Sequence, residues 1–316
     1  MSYHEYRVQL QGRDFLSLQD FSPAEIGGIL SLAADLKNER KNGIPHRFLE
    51  GRTLGMVFQK PSTRTRVSFE VGMFQLGGFA LFLSTQDLQM GRGEPIRDTA
   101  HTLSRYLDGI MIRTFDHGEV VELAEWASVP VINGLTDLFH PCQALADLMT
   151  IIEHRGALRA GKIVFMGDGG SNVAHSLLVA CSRMGMQITI CAPEGYTPLP
   201  EILSWAREEG EKTGGEIEVT DNPQEAVRGA GVLYTDVWTS MGRETEQEER
   251  RRRLQHYRLD RALLDRAEPG AIVMHCLPAN RGEEITAEVL ESSSSVVFDQ
   301  AENRLHVQKA LMALIM

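Results

Sequence analysis

The chain has 316 residues, 42% of them hydrophobic, and a formal net charge of −11 at pH 7. This length exceeds one typical hydrophobic core and the apolar share can fill two, so we expect a folded protein of two domains. The acidic charge argues against nucleic-acid and anionic-membrane partners, because both need a basic face that releases counterions. An anionic substrate must instead meet a local cluster of arginines.

Cysteine usage and hydropathy bear on the cellular compartment. The four cysteines are Cys142, Cys181, Cys191 and Cys276, and they lack the paired spacing of a metal site. So few cysteines in a chain of this size are typical of free thiols in a reducing compartment. The N-terminus has no apolar signal core, and nowhere do about eighteen uncharged apolar residues run together. We therefore predict a cytoplasmic protein with neither a zinc site nor a membrane anchor.

The first half of the chain alternates helix and strand. Ser22 and Glu25 have the spacing of a capping box, with Pro23 at the first helical position, which predicts a helix start. The apolar run 53–58 predicts a strand, and a second strand is predicted at 79–83 after Gly77-Gly78. With a helix between them, these strands are typical of a parallel α/β sheet.

A segment rich in hydroxyls and arginines follows the first strand. It reads Ser62-Thr63-Arg64-Thr65-Arg66, and the spacing of Val67, Val71 and Phe74 beyond it predicts a helix. Free backbone N–H groups, the helix dipole, the hydroxyls and a guanidinium together make a site for a phosphoryl group. An ordinary helix cap needs only one hydroxyl, so this density favours a phosphate site over a solvated surface.

Further polar positions lie at or near the ends of predicted strands, where parallel sheets present ligands. The polar, glycine-rich loop 84–94 is either plain surface or a reaching lid. The predicted strand 108–113 ends in Arg113, and His140 opens a long helix. Taken alone, His140 fits a capping or core histidine equally well, and Gln143 fits a surface residue. Their spacing of about one turn places both on one helix face.

The second half repeats the alternation of strand and helix. A strand at 162–166 leads into a glycine-rich turn at 167–172, and further strands are predicted at 187–192, 216–220, 231–236 and 271–276. A dinucleotide site is not expected at the turn, because no acidic residue ends the strand 187–192. The charged run 244–253 is assigned to an exposed, solvated helix.

These elements predict an α/β fold with two doubly wound parallel-sheet domains linked by interdomain helices. The first domain is expected to span residues 1–150 and to be completed by the C-terminal helix 304–316. The second is expected to span residues 151–303.

Several motifs of the chain occur together in one known family. They are Ser62-Thr63-Arg64-Thr65-Arg66, His140-Pro141-Cys142-Gln143, Asp236-Val237-Trp238-Thr239-Ser240-Met241-Gly242, His275-Cys276-Leu277-Pro278 and Asn303-Arg304. In this order they resemble the aspartate/ornithine carbamoyltransferase family over nearly the whole chain, and the segment 236–242 is similar to the ornithine-specific branch. The resemblance implies carbamoyl transfer from carbamoyl phosphate to the δ-amine of L-ornithine, without metal or organic cofactor. It also implies a homotrimer with sites shared between subunits.

The resemblance further implies a carbamoyl-phosphate site. Its residues would be Ser62, Thr63, Arg64 and Thr65 at the phosphate, Arg113, His140 and Gln143 at the carbonyl oxygen, the backbone oxygen of Leu277 at the NH2 group, Cys276, the bracing Arg304, and Gln89 from a neighbouring subunit. The expected catalytic residues are Arg113, His140, Gln143, Cys276 and Arg304. Donors at the carbonyl oxygen lower the barrier, because negative charge builds there as the amine attacks. Arg66 is assigned to structure.

An ornithine site is implied as well, made of Asn172, Asp236, Ser240 and Met241. Asp236 can pair with an ammonium, and either its carboxylate or the Cys276 thiolate could take the proton of the amine. A covalent cysteine mechanism is not expected. His275 and Cys276 are adjacent on a predicted strand and would point to opposite faces.

Two departures from the family pattern concern the acceptor. The turn Gly170-Ser171-Asn172 lacks an asparagine pair, and Asn280 stands where related sequences often have histidine. Acceptors other than ornithine therefore stay open, namely aspartate, putrescine or an N-acylated ornithine, as does a non-catalytic binder of carbamoyl phosphate or amino acids. Building and degrading arginine would use the same pocket, so the sequence does not separate them.

Overall fold

The computed structural model describes residues 3–239 and 244–316 and divides the chain into two compact units. Unit 1 consists of Met1–Ala146 with Glu302–Met316, and unit 2 consists of Asp147–Ala301. Each unit is built on one parallel sheet, so the predicted fold class is confirmed. The chain passes from one unit to the other inside two helices, Pro141–Arg155 and Val297–Ile315.

The helices and strands follow one another in regular alternation. From the N-terminus they are α1 (Tyr3–Leu10), α2 (Pro23–Lys41), β1 (Thr53–Phe58), α3 (Thr63–Gln75), β2 (Phe79–Ser84), α4 (Ile96–Leu103), β3 (Gly109–Arg113), α5 (His117–Trp126), β4 (Val131–Leu135) and α6 (Pro141–Arg155). They continue as β5 (Lys162–Met166), α7 (Asn172–Arg183), β6 (Gln187–Cys191), α8 (Pro200–Thr213), β7 (Glu216–Thr220), α9 (Pro223–Ala226), β8 (Ala230–Thr235), α10 (Gln247–Leu254), α11 (Arg261–Leu264), β9 (Ile272–Met274), α12 (Ala287–Leu290) and α13 (Val297–Ile315). Within the two described ranges, no helix is both long and apolar enough to cross a lipid bilayer.

The sheet of unit 1 brings two chain segments of interest to one edge. Its strand order is β2-β1-β3-β4, and all strands run parallel. Phe58 at the end of β1 pairs in register with Arg113 at the end of β3. The hydroxyl-rich segment that follows β1 therefore starts beside Arg113. Apolar side chains of β1, β3, β4, α4 and α5 pack into a buried core that holds these strand ends in place.

Helix α3 begins where the sequence predicts, but its buried face differs from the one that the apolar spacing suggests. Val67 is 50% exposed and Phe74 is 80% exposed, so the Val67, Val71 and Phe74 face looks outward. The buried residues of α3 are Thr65, Ser68, Phe69, Gly72 and Met73. A Cβ atom at Gly72 would lie 3.1 Å from Met312 Cε of α13, so the small residues of α3 accommodate the C-terminal helix.

The sheet of unit 2 has the strand order β7-β6-β5-β8-β9, again parallel throughout. Met166 at the end of β5 pairs with Thr235 at the end of β8, so the turn after β5 and the segment after β8 start from one edge. Strand β9 ends at Met274, two residues before the predicted end. His275 and Cys276 therefore lie beyond the strand, and the alternation expected of a strand does not apply to them.

Candidate active site

The N-terminus of α3 has the features of a phosphate-binding site. Ser62 caps the helix, and its hydroxyl accepts a hydrogen bond from the Thr65 N–H at 3.2 Å. The remaining N–H groups of the first turn and the positive end of the helix dipole favour an anion at this place. Arg64 is half-buried, whereas Arg66 pairs with Glu70 at 3.0 Å on the outer face. The two arginines of the motif thus have different surroundings.

A buried guanidinium connects the α3 N-terminus with the start of α6. Arg304 on α13 is 2% exposed and donates through Nη1 to Gln143 Oε1 at 2.9 Å and through Nη2 to Thr65 Oγ1 at 3.2 Å. Its Nη1 also lies 3.4 Å from His140 Nε2. With the Gln308 amide oriented so that its oxygen faces the guanidinium, this oxygen accepts from Arg304 Nη2 at 2.9 Å. Nothing in the sequence around Gln308 indicates an arginine partner.

His140 is held neutral by its surroundings. Burial first, and then the positive charges of Arg304, Arg113 and Arg64, lower the pKa of this imidazole well below its ordinary value of 6.5. A guanidinium can only donate, so His140 Nε2 is the acceptor and Nδ1 holds the proton. The imidazole is therefore a neutral donor, which suits a carbonyl oxygen.

Cys142 lies between these residues in the motif but has a structural environment. Its thiol is buried and donates to the backbone oxygen of Asn133 at 3.5 Å. Burial raises the pKa of the thiol to about 12. Cys142 is therefore protonated at neutral pH and unsuited to act as a nucleophile.

In unit 2, an acid and a thiol meet after β8 and β9. The Cys276 Sγ–H donates to Asp236 Oδ1 at 3.0 Å, and the Val237 N–H donates to the same oxygen at 2.8 Å. Burial raises the pKa of the Asp236 carboxyl, while the neighbouring His275 and these two hydrogen bonds act in the opposite direction. A carboxylate with a raised pKa is a better proton acceptor than an ordinary aspartate.

His275 does not activate the cysteine, although the reason is not the one expected from strand alternation. The ligand atoms of Asp236, His275 and Cys276 all lie within 4.8 Å of one another, so His275 and Cys276 do not face apart. His275 Nδ1 accepts from the Leu277 N–H at 2.8 Å, and His275 Nε2 lies 3.1 Å from Glu284 Oε1. Both ring nitrogens are thus engaged in holding the turn rather than the thiol.

The turn after β9 has an unusual backbone. Leu277 has a φ of 57°, in the left-handed region that non-glycine residues rarely adopt, and precedes a cis peptide bond to Pro278. The hydrogen bond to His275 holds its N–H, and Glu284 also accepts from the Asn280 N–H at 2.5 Å. Residues held in sparsely populated conformations concentrate at functional sites. The Asn280 side chain itself is exposed.

The turn between β5 and α7 is closely packed against the chain. A Cβ atom at Gly169 would lie 2.7 Å from Ile190 Cγ2 and 2.9 Å from the Tyr196 backbone oxygen, so only glycine fits there. Ser171 caps α7 by accepting from the Ala174 N–H at 3.2 Å, which makes Asn172 the first helical residue.

Other predicted site residues lie apart from these clusters or outside the description. Gln89 is exposed and precedes the short 3₁₀ helix Met90–Arg92. Ser240 and Met241 lie outside the described residues.

Arg250, assigned to a solvated helix from sequence, is instead buried. Its spacing of four residues from Leu254, also buried, is the signal that could have indicated an inward face.

One parallel-sheet unit has an arginine-rich helix start, and the other has an acid and a thiol in contact. Together these features define an enzyme that handles a phosphorylated substrate and an amine. The chain belongs to the aspartate/ornithine carbamoyltransferase family. The family model of the carbamoyl-P binding domain matches residues 13–153, and that of the Asp/Orn binding domain matches residues 160–315.

Individual relatives match along almost the whole chain. The chain is 56% identical over 309 residues to an ornithine carbamoyltransferase of Thermococcus kodakarensis, with 98% of each covered. It is similar to the solved structure of ornithine carbamoyltransferase from Pyrococcus furiosus, with a TM-score of 0.94, 54% identity and 97% of each chain covered. An acetylornithine transcarbamylase complexed with acetylcitrulline is more distant, with a TM-score of 0.86, 33% identity and coverage of 96% and 99%.

Proposed function

We propose that this protein transfers the carbamoyl group of carbamoyl phosphate to the δ-amine of L-ornithine, giving L-citrulline and phosphate. The main structural support is the buried Arg304, which bonds both Thr65 of the phosphate motif and Gln143 of the second motif. The names of relatives that are 52–56% identical over nearly the full length point to the same acceptor.

Carbamoyl phosphate would bind with its phosphate at the start of α3. We assign the phosphate to Ser62, Thr63, Arg64 and Thr65, which combine backbone N–H groups, hydroxyls and a guanidinium. Such a site also stabilises the phosphate as it leaves, since charge increases on its oxygens when the C–O bond breaks. The local guanidinium groups supply the positive potential that the chain as a whole, with its acidic net charge, does not.

The carbonyl oxygen would face Arg113, His140 and Gln143. Arg304 donates to Gln143 Oε1, which fixes the orientation of this amide, and we assign its NH2 group to the carbonyl oxygen of the substrate. His140 would contribute the N–H of its neutral Nδ1, because its Nε2 accepts from Arg304. As the amine attacks the carbonyl carbon, negative charge builds on the oxygen, and each preorganised donor stabilises it by roughly 3 kcal/mol. We assign the carbamoyl NH2 to the backbone oxygen of Leu277.

Ornithine would bind in unit 2. We assign its δ-ammonium to Asp236, in contact with Cys276, and its α-amino and α-carboxylate groups to Asn172, Ser240 and Met241. Because the thiol donates to the carboxylate, the carboxylate is the acceptor of the pair and is our choice for the proton of the amine. Cys276 then polarises the carboxylate and contacts the amine without forming a covalent intermediate.

The assembly we propose is a homotrimer with sites shared between subunits. Large apolar side chains are exposed on α3 and on the edge strand β2, namely Val67, Phe74, Phe79, Leu81 and Phe82. Large exposed apolar side chains on neighbouring elements such as α3 and β2 are typical of protein interfaces. In this assembly, the exposed Gln89 reaches the phosphate of a neighbouring subunit. Mixing Arg64→Ala with Gln89→Ala subunits should then restore some activity, and no recovery would argue against shared sites.

We also propose a metabolic direction and a cellular location for this activity. A relative from Pyrococcus furiosus, 54% identical over 309 residues, is named an anabolic ornithine carbamoyltransferase. We therefore propose a role in arginine biosynthesis in the cytoplasm.

The decisive test is an acceptor series with purified protein and carbamoyl phosphate. L-Ornithine should give citrulline, whereas N-acetylornithine, putrescine and aspartate should give little carbamoylated product. Product formation from another acceptor but not from ornithine would reject the proposed acceptor. Calorimetric binding of carbamoyl phosphate without turnover on any amine would instead indicate a binding protein.

A further inference from the structure

One buried arginine of unit 2 contacts three different chain segments. Arg250 on α10 is 4% exposed and donates through Nη1 to Asp168 Oδ2 at 2.6 Å and to the backbone oxygen of Trp238 at 2.9 Å. Its Nε donates to Glu246 Oε2 at 2.8 Å. The guanidinium also lies 5.3 Å from the ring centroid of Tyr196. A planar guanidinium with several donors in a fixed fork holds such acceptors in one relative geometry.

Two of these contacts lie next to side chains that the proposed ornithine site uses. Trp238 stands two residues after Asp236, on the segment that leaves β8. Asp168 stands four residues before Asn172, in the turn between β5 and α7. Both oxygens of the Asp168 carboxylate accept hydrogen bonds. Oδ1 accepts from the Gly170 N–H at 3.1 Å, and Oδ2 accepts from Arg250. Arg250 therefore joins the segment of Asp236 to the turn of Asn172.

The other arginines of α10 lack this environment. Arg251 is exposed and pairs with Glu283 and Glu248, while Arg253 is exposed and donates to the backbone oxygen of Glu194 at 3.4 Å. Exposed pairs of this kind contribute little to structure. The Arg250–Asp168 pair is buried on both sides, so removal of Arg250 leaves a buried carboxylate without its charged partner.

We propose that Arg250 is a positioning residue for the acceptor amino acid: it holds Asp236 and Asn172 at a fixed separation and so sets the affinity for ornithine. This inference rests on the proposed ornithine site. We expect Arg250 to have a smaller effect on carbamoyl-phosphate binding, because the residues assigned to the phosphate and the carbonyl oxygen belong to unit 1, and only Leu277 and Cys276 of that site come from unit 2. The two Michaelis constants should therefore separate in variants of Arg250.

The experiment measures steady-state kinetics of the full-length protein for both substrates. In Arg250→Met, the KM for ornithine should rise at least about tenfold, since a buried charge-assisted bond is lost, while the KM for carbamoyl phosphate changes less than about twofold. Arg250→Lys, which retains the charge but not the fork, should lie between wild type and Arg250→Met. Asp168→Asn should raise the KM for ornithine as well. In the double variant Arg250→Met/Asp168→Asn, the loss of ornithine-binding free energy should be no larger than the sum of the losses in the two single variants.

Controls separate positioning from folding. Arg253→Met, on the same helix, should leave both Michaelis constants unchanged. If Arg250→Met does not fold, Arg250→Lys and Asp168→Asn give the same comparison. An unchanged KM for ornithine in folded variants of both Arg250 and Asp168, or an equal rise for both substrates, would overturn the inference. Asp236→Asn tests the proposed ornithine site separately from the role of Arg250. An unchanged KM for ornithine in that variant would reject the ornithine site itself.

Discussion

The guanidinium of Arg304 donates to the side-chain oxygen of Gln143 across 2.9 Å, although the two residues are 161 positions apart in the chain. The same guanidinium reaches Thr65, and both contacts are buried. This single cation therefore organises the motif at α3 and the motif at α6 together. The cluster has consequences for activity, for stability and for the response to pH.

Replacement of Arg304 should affect chemistry and folding at once. Arg304→Met leaves the buried oxygens of Gln143 and Thr65 without their donor and removes positive charge beside the proposed carbonyl site. We expect kcat to fall by roughly a hundredfold or more and the free energy of unfolding to fall by about 3 kcal/mol. Urea unfolding and initial rates measure the two effects. Arg261→Met, which breaks an exposed pair with Asp265, should change neither by much.

His140 should make the protein less stable in mildly acidic solution. Its pKa in the folded protein lies well below 6.5, mainly because it is buried, so below pH 6.5 the unfolded chain binds a proton that the folded protein does not. Stability therefore falls as the pH decreases from 6.5 toward the lowered pKa. The unfolding midpoint in urea should drop between pH 7.5 and 5.5, and less so in His140→Asn. Equal slopes in both proteins would show that His140 is not held neutral.

Replacement of Asp236 should lower kcat more than replacement of Cys276. If the carboxylate accepts the proton of the amine, Asp236→Asn lowers kcat by about 10² to 10⁴-fold, the usual range for a general base. Cys276→Ala, which removes only the thiol that donates to this carboxylate, should have the smaller effect. A larger loss in Cys276→Ala, or a carbamoylated cysteine detected by mass spectrometry, would assign the chemistry to the thiol instead.

Lys309 should make the stability of the protein depend on pH in alkaline solution. Its ammonium on α13 donates to His46 Nε2 and to Gln75 Oε1, each at 3.0 Å, and burial lowers its pKa to about 8 from an ordinary 10.5. Between these values the unfolded chain binds more protons than the folded protein, so stability rises with pH from about 8 to 10.5. Urea midpoints at pH 7.5, 9 and 10 should show this rise in wild type and a flatter profile in Lys309→Met. A rise that persists in the variant would assign it to other groups.

Local signals in the sequence were sufficient to predict the alternation of helices and strands. The predicted strands 53–58, 162–166 and 216–220 coincide with β1, β5 and β7, and the capping box at Ser22 and Glu25 starts α2. These signals are local, because strand periodicity and helix caps depend on neighbouring residues. The motifs were also sufficient to place the chain in its family, since they occur in one order along the chain.

Which helix faces are buried and which side chains contact one another depends on the folded arrangement of the chain. Val67 and Phe74 have helical spacing, yet they point outward, because the inner face of α3 packs against a helix that begins more than 200 residues later. Arg250 lies in a charged run, yet it is buried, because Asp168 supplies a carboxylate from 82 positions away. Such pairings depend on how distant segments fold together. No pattern within a window of neighbouring residues contains that information.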